Sequence, residues 1–316
     1  MNKYRLMANA ALGLAVWACG MRSLSAQQAA TADGIPVHMV VTVEPHRGST
    51  IPVVNREDVM VYEGKDRDTV KEWIPAQGEH AGLEFFILLD DGSDTNLGAQ
   101  LDDLRKFISI QPASTKIGIA YMQNGMATVV QNLTSDHDLA AKALRLPLGS
   151  HGANGSPYFS LSDLIKHWPE GSGRREVFMA TNGIDPYYDG GDLMDPYVNE
   201  AIGSAQRAGV IVSAIYTPGV GHAGHDYWQA YWGQLYLAQV ADRTGGESYY
   251  IGFTGPPVSF APYLDDVTQR LSHQYLLTFL AKPPKKAGFQ QIKLRTEVPN
   301  ADLVSADRVW VPVEPK

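Results

Sequence analysis

The chain contains almost no cysteine and has no excess of positive charge. Cys19 is the single thiol among 316 residues, and it lies in an N-terminal segment that we expect to be removed. A mature chain without cysteine has neither a disulfide framework nor thiol chemistry. Its 26 Lys and Arg are outnumbered by 34 Asp and Glu, which gives a formal net charge of −8. This balance argues against nucleic acid and against an anionic membrane surface as partners.

Long apolar runs are missing beyond the N-terminus. There, Lys3 and Arg5 precede an apolar run over residues 6–21, and small residues follow up to Ala26. This order is typical of a secretory signal, so we predict a signal peptide over residues 1–26. No later run approaches the roughly 20 apolar residues that span a bilayer. We therefore expect no transmembrane segment after cleavage.

The signal segment also indicates where the protein is delivered. The stretch Val16-Trp17-Ala18-Cys19 partly matches a lipoprotein cleavage box. Because Trp17 fits that box poorly, we favour cleavage and export over lipid attachment at Cys19. The predicted location is periplasmic, cell-surface or secreted.

The most informative stretch lies at residues 85–95. Phe85 to Leu89 are five consecutive large apolar residues, a run that predicts a strand buried on both faces. Acidic and hydroxyl side chains follow directly, and residues 97–108 then have the spacing of an amphipathic helix. Open α/β sheets bind ligands in this arrangement, at the carboxyl ends of their strands.

Strands and helices alternate after this stretch. Further strands are predicted at residues 116–122, 128–133, 176–180, 210–216 and 248–251. Further helices are predicted at residues 136–144, 160–168, 199–208, 235–244 and 261–273. Asn124-Gly125 suits a tight hairpin, so the strand that follows it is predicted to be an antiparallel edge. The pattern predicts a Rossmann-like, doubly wound α/β domain with a mostly parallel six-stranded sheet.

The turn Asp91-Gly92-Ser93-Asp94-Thr95 places oxygen side chains two residues apart. Hard cations such as Mg²⁺ and Mn²⁺ prefer oxygen ligands of this kind. The turn resembles the Asp-x-Ser-x-Ser motif of the metal-ion-dependent adhesion site in von Willebrand factor type A domains. An alternative register begins one residue earlier, at Asp90, but loses the serine. We prefer the register of Asp91, Ser93 and Thr95.

The resemblance implies two further ligands. In the family, a Thr from a second loop and an Asp after a later strand complete the site. Here Ser156 occupies the position of the Thr, and Asn182 replaces the Asp. Because an amide oxygen supplies no charge, the implied Mg²⁺ or Mn²⁺ site is degenerate. The predicted metal ligands are Asp91, Ser93, Thr95, Ser156 and Asn182.

The resemblance extends beyond this domain. Residues 37–74 alternate weakly, which predicts several short antiparallel strands, and residues 56–65 are similar to the segment before the A domain in a bacterial, notably acidobacterial, group of secreted proteins. Residues 275–280, 291–294 and 309–312 match the closing strands of that group. The resemblance thus implies an accessory antiparallel β unit built from both chain ends. The predicted domains are residues 27–80 (N-terminal β segment), 81–273 (type A domain) and 274–316 (C-terminal β segment, packed with the N-terminal one).

A second cluster, His222-x-x-His225-Asp226, offers nitrogen and oxygen ligands that suit zinc. The surrounding glycines indicate a mobile loop, and the helix-borne His-Glu-x-x-His motif is absent, so we assign the cluster to partner recognition. Of the four aromatic residues Tyr227, Trp228, Tyr231 and Trp232, we expect two in the core and two on the surface. The predicted partner-binding residues are Asp94, His222, His225, Asp226 and Trp228.

These motifs favour binding over catalysis. Ser93 lacks the Gly-x-Ser-x-Gly elbow of a nucleophile, and the sequence has no phosphate-binding glycine loop. We predict a non-enzymatic, exported adhesion or interaction module for a protein or extracellular matrix ligand. An acidic side chain of the partner would complete the coordination of Mg²⁺, or would hydrogen-bond the same turn without metal. The alternatives are an envelope-assembly scaffold with a decayed, metal-free site, and a metal-dependent hydrolase that uses His222, His225 and Asp226.

Overall fold

The computed structural model describes residues 34–150, 152, 155–171, 173–188, 194–250 and 258–313. The predicted signal peptide, with Cys19, lies outside the described residues. Within them, no helix combines the length and the apolar character that crossing a bilayer requires.

Strands and helices alternate through most of the described chain. The strands are β1 (Ile35–Pro45), β2 (Val59–Glu63), β3 (Asp66–Pro75), β4 (Leu83–Asp90), β5 (Thr115–Gln123), β6 (Met126–Thr134), β7 (Arg174–Thr181), β8 (Val210–Tyr216), β9 (Ser248–Tyr249), β10 (Gln274–Ala281), β11 (Gly288–Thr296), β12 (Ala301–Val304) and β13 (Arg308–Val311). The helices are α1 (Gly98–Ile110), α2 (His137–Lys142), α3 (Pro157–Lys166), α4 (Pro196–Ala208), α5 (Tyr227–Thr244) and α6 (Ala261–Ser272).

Strand β4 lies near the centre of a six-stranded sheet with the order β6-β5-β4-β7-β8-β9. Neighbouring strands are parallel except for β5 and β6, which are antiparallel. Counted from β4, this order is 3-2-1-4-5-6, the doubly wound arrangement of Rossmann-like sheets. The predicted sheet and its antiparallel edge strand are confirmed.

Helices cover both faces of this sheet, and every residue of β4 is buried. Phe86 and Leu88 pack on one face with residues of α3, α4 and α5. Phe85, Ile87 and Leu89 pack on the other face with residues of α1 and α6. The apolar run therefore has no alternation because both of its faces belong to the core.

Both chain ends build a second, accessory sheet with the order β12-β1-β10-β3-β2-β11-β13. All of its neighbouring strands are antiparallel. Residues 305–307 join β12 to β13, which stand at opposite ends of this order. Because a chain spans at most about 3.6 Å per residue, the two ends of the sheet approach within about 14 Å, and the sheet curls on itself. The predicted accessory unit is confirmed, whereas its residue boundaries stay predictions.

Helix α5 begins at Tyr227, eight residues before its predicted start. Asp226 caps it, since the Asp226 Oδ1 accepts a hydrogen bond from the Gln229 backbone N–H at 3.0 Å. Gly233 lies on its buried face, where an added Cβ would stand 2.0 Å from the Asn182 backbone oxygen. This close approach places the first turns of α5 beside the loop that follows β7.

Candidate functional site

The carboxyl ends of the parallel strands meet at one edge of the six-stranded sheet, which we call the carboxyl edge. Asp90, the last residue of β4, accepts hydrogen bonds from Thr181 Oγ1 at 2.6 Å and from the Gly92 backbone N–H at 2.7 Å. Thr181 ends the neighbouring strand β7. Asp90, which begins the alternative register, thus ties the ends of two central strands together.

Asp91, the next residue, contacts the segment that follows helix α2. Its two carboxylate oxygens accept hydrogen bonds from Arg145 Nη1 at 2.6 Å and Nη2 at 2.8 Å. The Asp91 side chain is 1% exposed and that of Arg145 is 37% exposed. The Arg145 guanidinium also lies 3.8 Å from the centroid of the Tyr121 ring, and its hydrogen bond to Asp91 raises the pKa of Arg145. An arginine therefore neutralises the predicted principal ligand of the cation.

The rest of the turn is tied to the loop after β8. Ser93 is 1% exposed, and its Oγ shares a hydrogen bond with Thr217 Oγ1 at 3.0 Å. The Asp94 backbone N–H donates to the Pro218 carbonyl at 3.2 Å, while the Asp94 side chain accepts from the Asn96 backbone N–H at 2.9 Å. Thr95 is exposed and begins a short 3₁₀ turn.

Ser156 and Asn182 each have their own partner. Ser156 is fully buried, caps α3, and donates from its Oγ to Asp185 Oδ2 at 3.1 Å. Burial, and less strongly the nearby charge of Asp195, raises the pKa of Asp185. The Asn182 Oδ1 accepts a hydrogen bond from the Ile184 backbone N–H at 2.9 Å. The sequence pattern did not single out Asp185, which lies three residues beyond Asn182 in a loop without a recognised motif.

The predicted metal ligands lie in loops of the carboxyl edge, but the contacts described above do not join them around a common point. Arg145 holds Asp91, Thr217 holds Ser93, and Asp185 accepts from Ser156. In the part of the chain that the structure describes, no group of three or more His, Cys, Asp or Glu side chains is arranged to hold a metal ion. The residues as placed do not fit a shared cation site, and the metal assignment stays a prediction.

The His cluster lies in the loop between β8 and α5. His225 Nε2 shares a hydrogen bond with the Gly219 carbonyl at 2.9 Å, and Asp226 serves as the cap of α5. His222 is exposed. Two of these three side chains therefore have structural contacts of their own, and their assignment to a partner stays a prediction.

Three aromatic residues at the start of α5 form an exposed group, which we call the aromatic surface. Tyr227, Trp228 and Tyr231 are 53%, 66% and 39% exposed. Their rings contact one another, with centroids 5.2 Å apart for the first pair and 6.3 Å apart for Trp228 and Tyr231. Trp232 is partly buried against the core. The expectation that two of the four aromatic residues are buried is wrong, because the buried stripe of α5 passes through Ala230 and Gly233 instead.

The aromatic surface lies beside the turn after β4. The Val220 backbone N–H donates to the Gly92 carbonyl at 3.0 Å, and Ser93 forms a β-bridge with Gly219. The loop held by these contacts leads directly into α5. The carboxyl edge thus combines a polar turn with internal partners and a group of exposed aromatic rings.

Comparison with solved structures finds type A domains among the similar folds. A von Willebrand factor type A protein from Catenulispora acidiphila is 12% identical, with 90% of this chain and 75% of that chain covered and a TM-score of 0.44. An aerotolerance-related membrane protein from Bacteroides fragilis is 14% identical, with 60% and 98% covered and a TM-score of 0.43. The ArnB paralog VWA2 from Sulfolobus acidocaldarius is 8% identical, with 88% and 76% covered and a TM-score of 0.40.

No protein-family model matches the chain, and no curated protein matches it either. The strand order and the antiparallel edge strand, together with the turn after β4, define the fold. The described chain has the architecture that the resemblance to type A domains implied, a doubly wound six-stranded sheet with an accessory β unit.

Proposed function

We propose that this chain is an exported interaction module that recognises a protein or matrix partner at its carboxyl edge, without a divalent cation. The observation that carries this proposal is the aromatic surface beside the turn after β4. Tyr and Trp are enriched among the residues that dominate binding energy in protein interfaces. Tyr227, Trp228 and Tyr231 are all more than a third exposed.

The polar contacts beside the aromatic surface support the proposal because they tie the loop before α5 to the turn after β4. The Ser93–Thr217 hydrogen bond and the Asp226 cap fix the loop that leads into α5. A surface that is ordered before binding loses less side-chain and loop entropy when the partner arrives. The partner would cover the aromatic rings, and the edge of the polar turn would supply hydrogen bonds at the rim.

The contacts of Asp91 are the reason that we propose cation-independent recognition. Arg145 supplies the positive charge that a buried Asp91 requires. An Arg–carboxylate pair with two parallel hydrogen bonds is among the stronger charged contacts in proteins. A divalent cation would have to displace this arginine before it could use both oxygens of Asp91.

The test is binding of the mature protein to a partner captured and identified from an envelope extract. We expect Trp228→Ala and Tyr231→Ala to weaken binding at least tenfold, and EDTA to leave it unchanged. Ile110→Ala is the matched control, because Ile110 is 56% exposed and ends α1. Loss of binding in EDTA, or equal binding by Trp228→Ala and the wild type, would overturn the proposal.

The scaffold alternative has support of its own in strand β6. This edge strand pairs only with β5 in the described sheet and contains no charged residue. Met126, Val129 and Val130 are 57%, 40% and 42% exposed. Uncharged, exposed edge strands are prone to pair with other chains. If Val129→Lys abolishes self-association while Trp228→Ala changes no binding, the scaffold function is favoured.

A further inference from the structure

A cavity of about 750 Å³ lies at the opposite, amino edge of the six-stranded sheet. It opens to solvent and lies between the start of β7, the end of α4 and the accessory strands β1, β10 and β13. Its volume falls within the range of roughly 300–1,000 Å³ that is typical of small-molecule sites. Because the cavity lies at the amino edge, it is separate from the carboxyl edge, and ligand binding there is independent of the function proposed above.

The cavity lining contains more arginines than acidic residues although the chain as a whole is acidic. Its lining contains four arginines and two glutamates, Glu72 and Glu79, whereas the whole chain has a net charge of −8. Three of the arginines have polar partners. Arg174 donates to the carbonyls of Leu271 and Ala81, both at 3.2 Å. Arg175 lies 3.7 Å from a carboxylate of Glu84, and Arg308 lies 3.7 Å from one of Asp307.

Arg207, the fourth arginine, is held only by aromatic contacts. Its guanidinium lies 3.9 Å from the Trp310 ring centroid and 5.7 Å from that of Phe289. Within the described part of the chain it makes neither a hydrogen bond nor an ion pair. Stacking orients the plane of a guanidinium and leaves its in-plane N–H groups available to an acceptor. Such a fork matches the two oxygens of a carboxylate or a phosphate.

The remaining walls combine apolar and polar groups. Ile74, Ile211 and Leu276 contribute apolar surface. His38, Thr278 and Glu72 form a hydrogen-bonded row across β1, β10 and β3, with His38 Nδ1 to Thr278 Oγ1 at 2.9 Å and Thr278 Oγ1 to Glu72 Oε2 at 2.7 Å. A ligand that fits therefore has an acidic group and an apolar body.

We propose that this cavity binds an anionic amphiphile, whose carboxylate or phosphate pairs with Arg207 while its apolar body lies along Ile74 and Leu276. The shared chemistry is an acidic oxygen group on a hydrocarbon chain. A fatty acid and a lipid phosphate monoester are two sources of that chemistry. The volume of the cavity, about 750 Å³, accommodates a ligand of that kind.

The experiment is isothermal titration calorimetry of the mature protein with dodecanoate and with dodecyl phosphate, which distinguishes the two sources. Inorganic phosphate tests whether the hydrocarbon chain of the ligand is needed. Dodecyltrimethylammonium tests whether its negative charge is needed. We expect Arg207→Gln to weaken binding of the preferred anion at least tenfold. Arg295→Gln is the matched control, because Arg295 also stacks on an aromatic ring, Tyr62, at 5.5 Å, but does not line the cavity.

A second variant separates binding from folding. Val40→Trp places a large side chain on the cavity wall while Arg207 is kept, and we expect it to abolish binding without a change in the far-ultraviolet circular dichroism. Equal binding of dodecyltrimethylammonium, equal loss in Arg295→Gln, or unchanged binding by both Arg207→Gln and Val40→Trp would overturn the proposal. The Trp228→Ala variant tests only the function proposed at the carboxyl edge, so its result leaves the proposal for the cavity unchanged.

Discussion

The two sheets hold their buried carboxylates in different ways. At the carboxyl edge of the six-stranded sheet, Asp91 faces the guanidinium of Arg145, and Asp90 accepts from Thr181. In the accessory sheet, Asp68 of β3 is 7% exposed and lies near Glu63. Burial, and then the like charge of Glu63, raises the pKa of Asp68 to about 7.

Asp90 and Asp91 are held by hydrogen-bond donors, whereas Asp68 is a carboxylate whose pKa is raised by burial. A carboxylate with matched donors fixes the loops that hold those donors. A buried carboxylate beside another acid takes up a proton as pH falls. The Asp91–Arg145 pair thus holds loops of the carboxyl edge, where the aromatic surface leads us to place recognition.

The largest expected change in the free energy of unfolding comes from replacing Arg145 at the carboxyl edge. Arg145→Ala would leave Asp91, whose side chain is 1% exposed, without a counter-charge. We expect the free energy of unfolding to fall by about 3 kcal/mol, since removing one partner of a buried ion pair is strongly destabilising. Urea denaturation at pH 7 measures this change.

The control for that prediction is the other member of the pair. Asp91→Asn leaves Arg145, which is 37% exposed and remains solvated, so its cost is expected to be smaller. If Arg145→Ala costs no more than Asp91→Asn, then the pair does not organise the edge as described.

The second prediction concerns Asp68. Because its pKa in the folded protein is about 7 and its ordinary value is 3.8, the folded state binds more protons than the unfolded state between these values. The contribution of Asp68 to the free energy of unfolding therefore decreases as pH rises from about 4 to about 7. Asp68→Asn should remove this contribution to the slope and should stabilise the protein more at pH 8 than at pH 5. Urea denaturation at pH 5 and pH 8 tests it, and an unchanged slope in the variant would contradict it.

Much of this architecture was predictable from local patterns, whereas the contacts of the turn were not. The run Phe85 to Leu89 predicts the central strand because a strand buried on both faces needs apolar residues throughout. Arg145 follows α2 without a motif, and only the fold brings it to Asp91, 54 residues away in sequence. The exposure of Tyr227 likewise depends on the rotation of α5, which is set by the absence of a side chain at Gly233.

A smaller stability effect is expected at the aromatic surface. Trp228 is 66% exposed, so Trp228→Ala should change the free energy of unfolding by less than about 0.5 kcal/mol. Trp232 packs against the core, and Trp232→Ala should cost about 2 kcal/mol, somewhat less than for a fully buried Trp. Thermal and urea unfolding measure both changes. Equal effects of the two substitutions would show that the rings form one packed cluster and not a surface.

The smallest expected effect is that of divalent cations on the wild type. A ligand that binds only the folded state raises the free energy of unfolding by RT ln(1 + [L]/Kd), which is about 1.4 kcal/mol at ten times Kd. Because Arg145 occupies both oxygens of Asp91, we expect 10 mM Mg²⁺ or Mn²⁺ to leave the melting temperature unchanged within about 1 °C. A rise that disappears in Asp91→Ala would instead support the predicted metal ligands. In Arg145→Ala the carboxylate loses its counter-charge, so a Mg²⁺-dependent rise confined to that variant would show that the arginine takes the place of the cation.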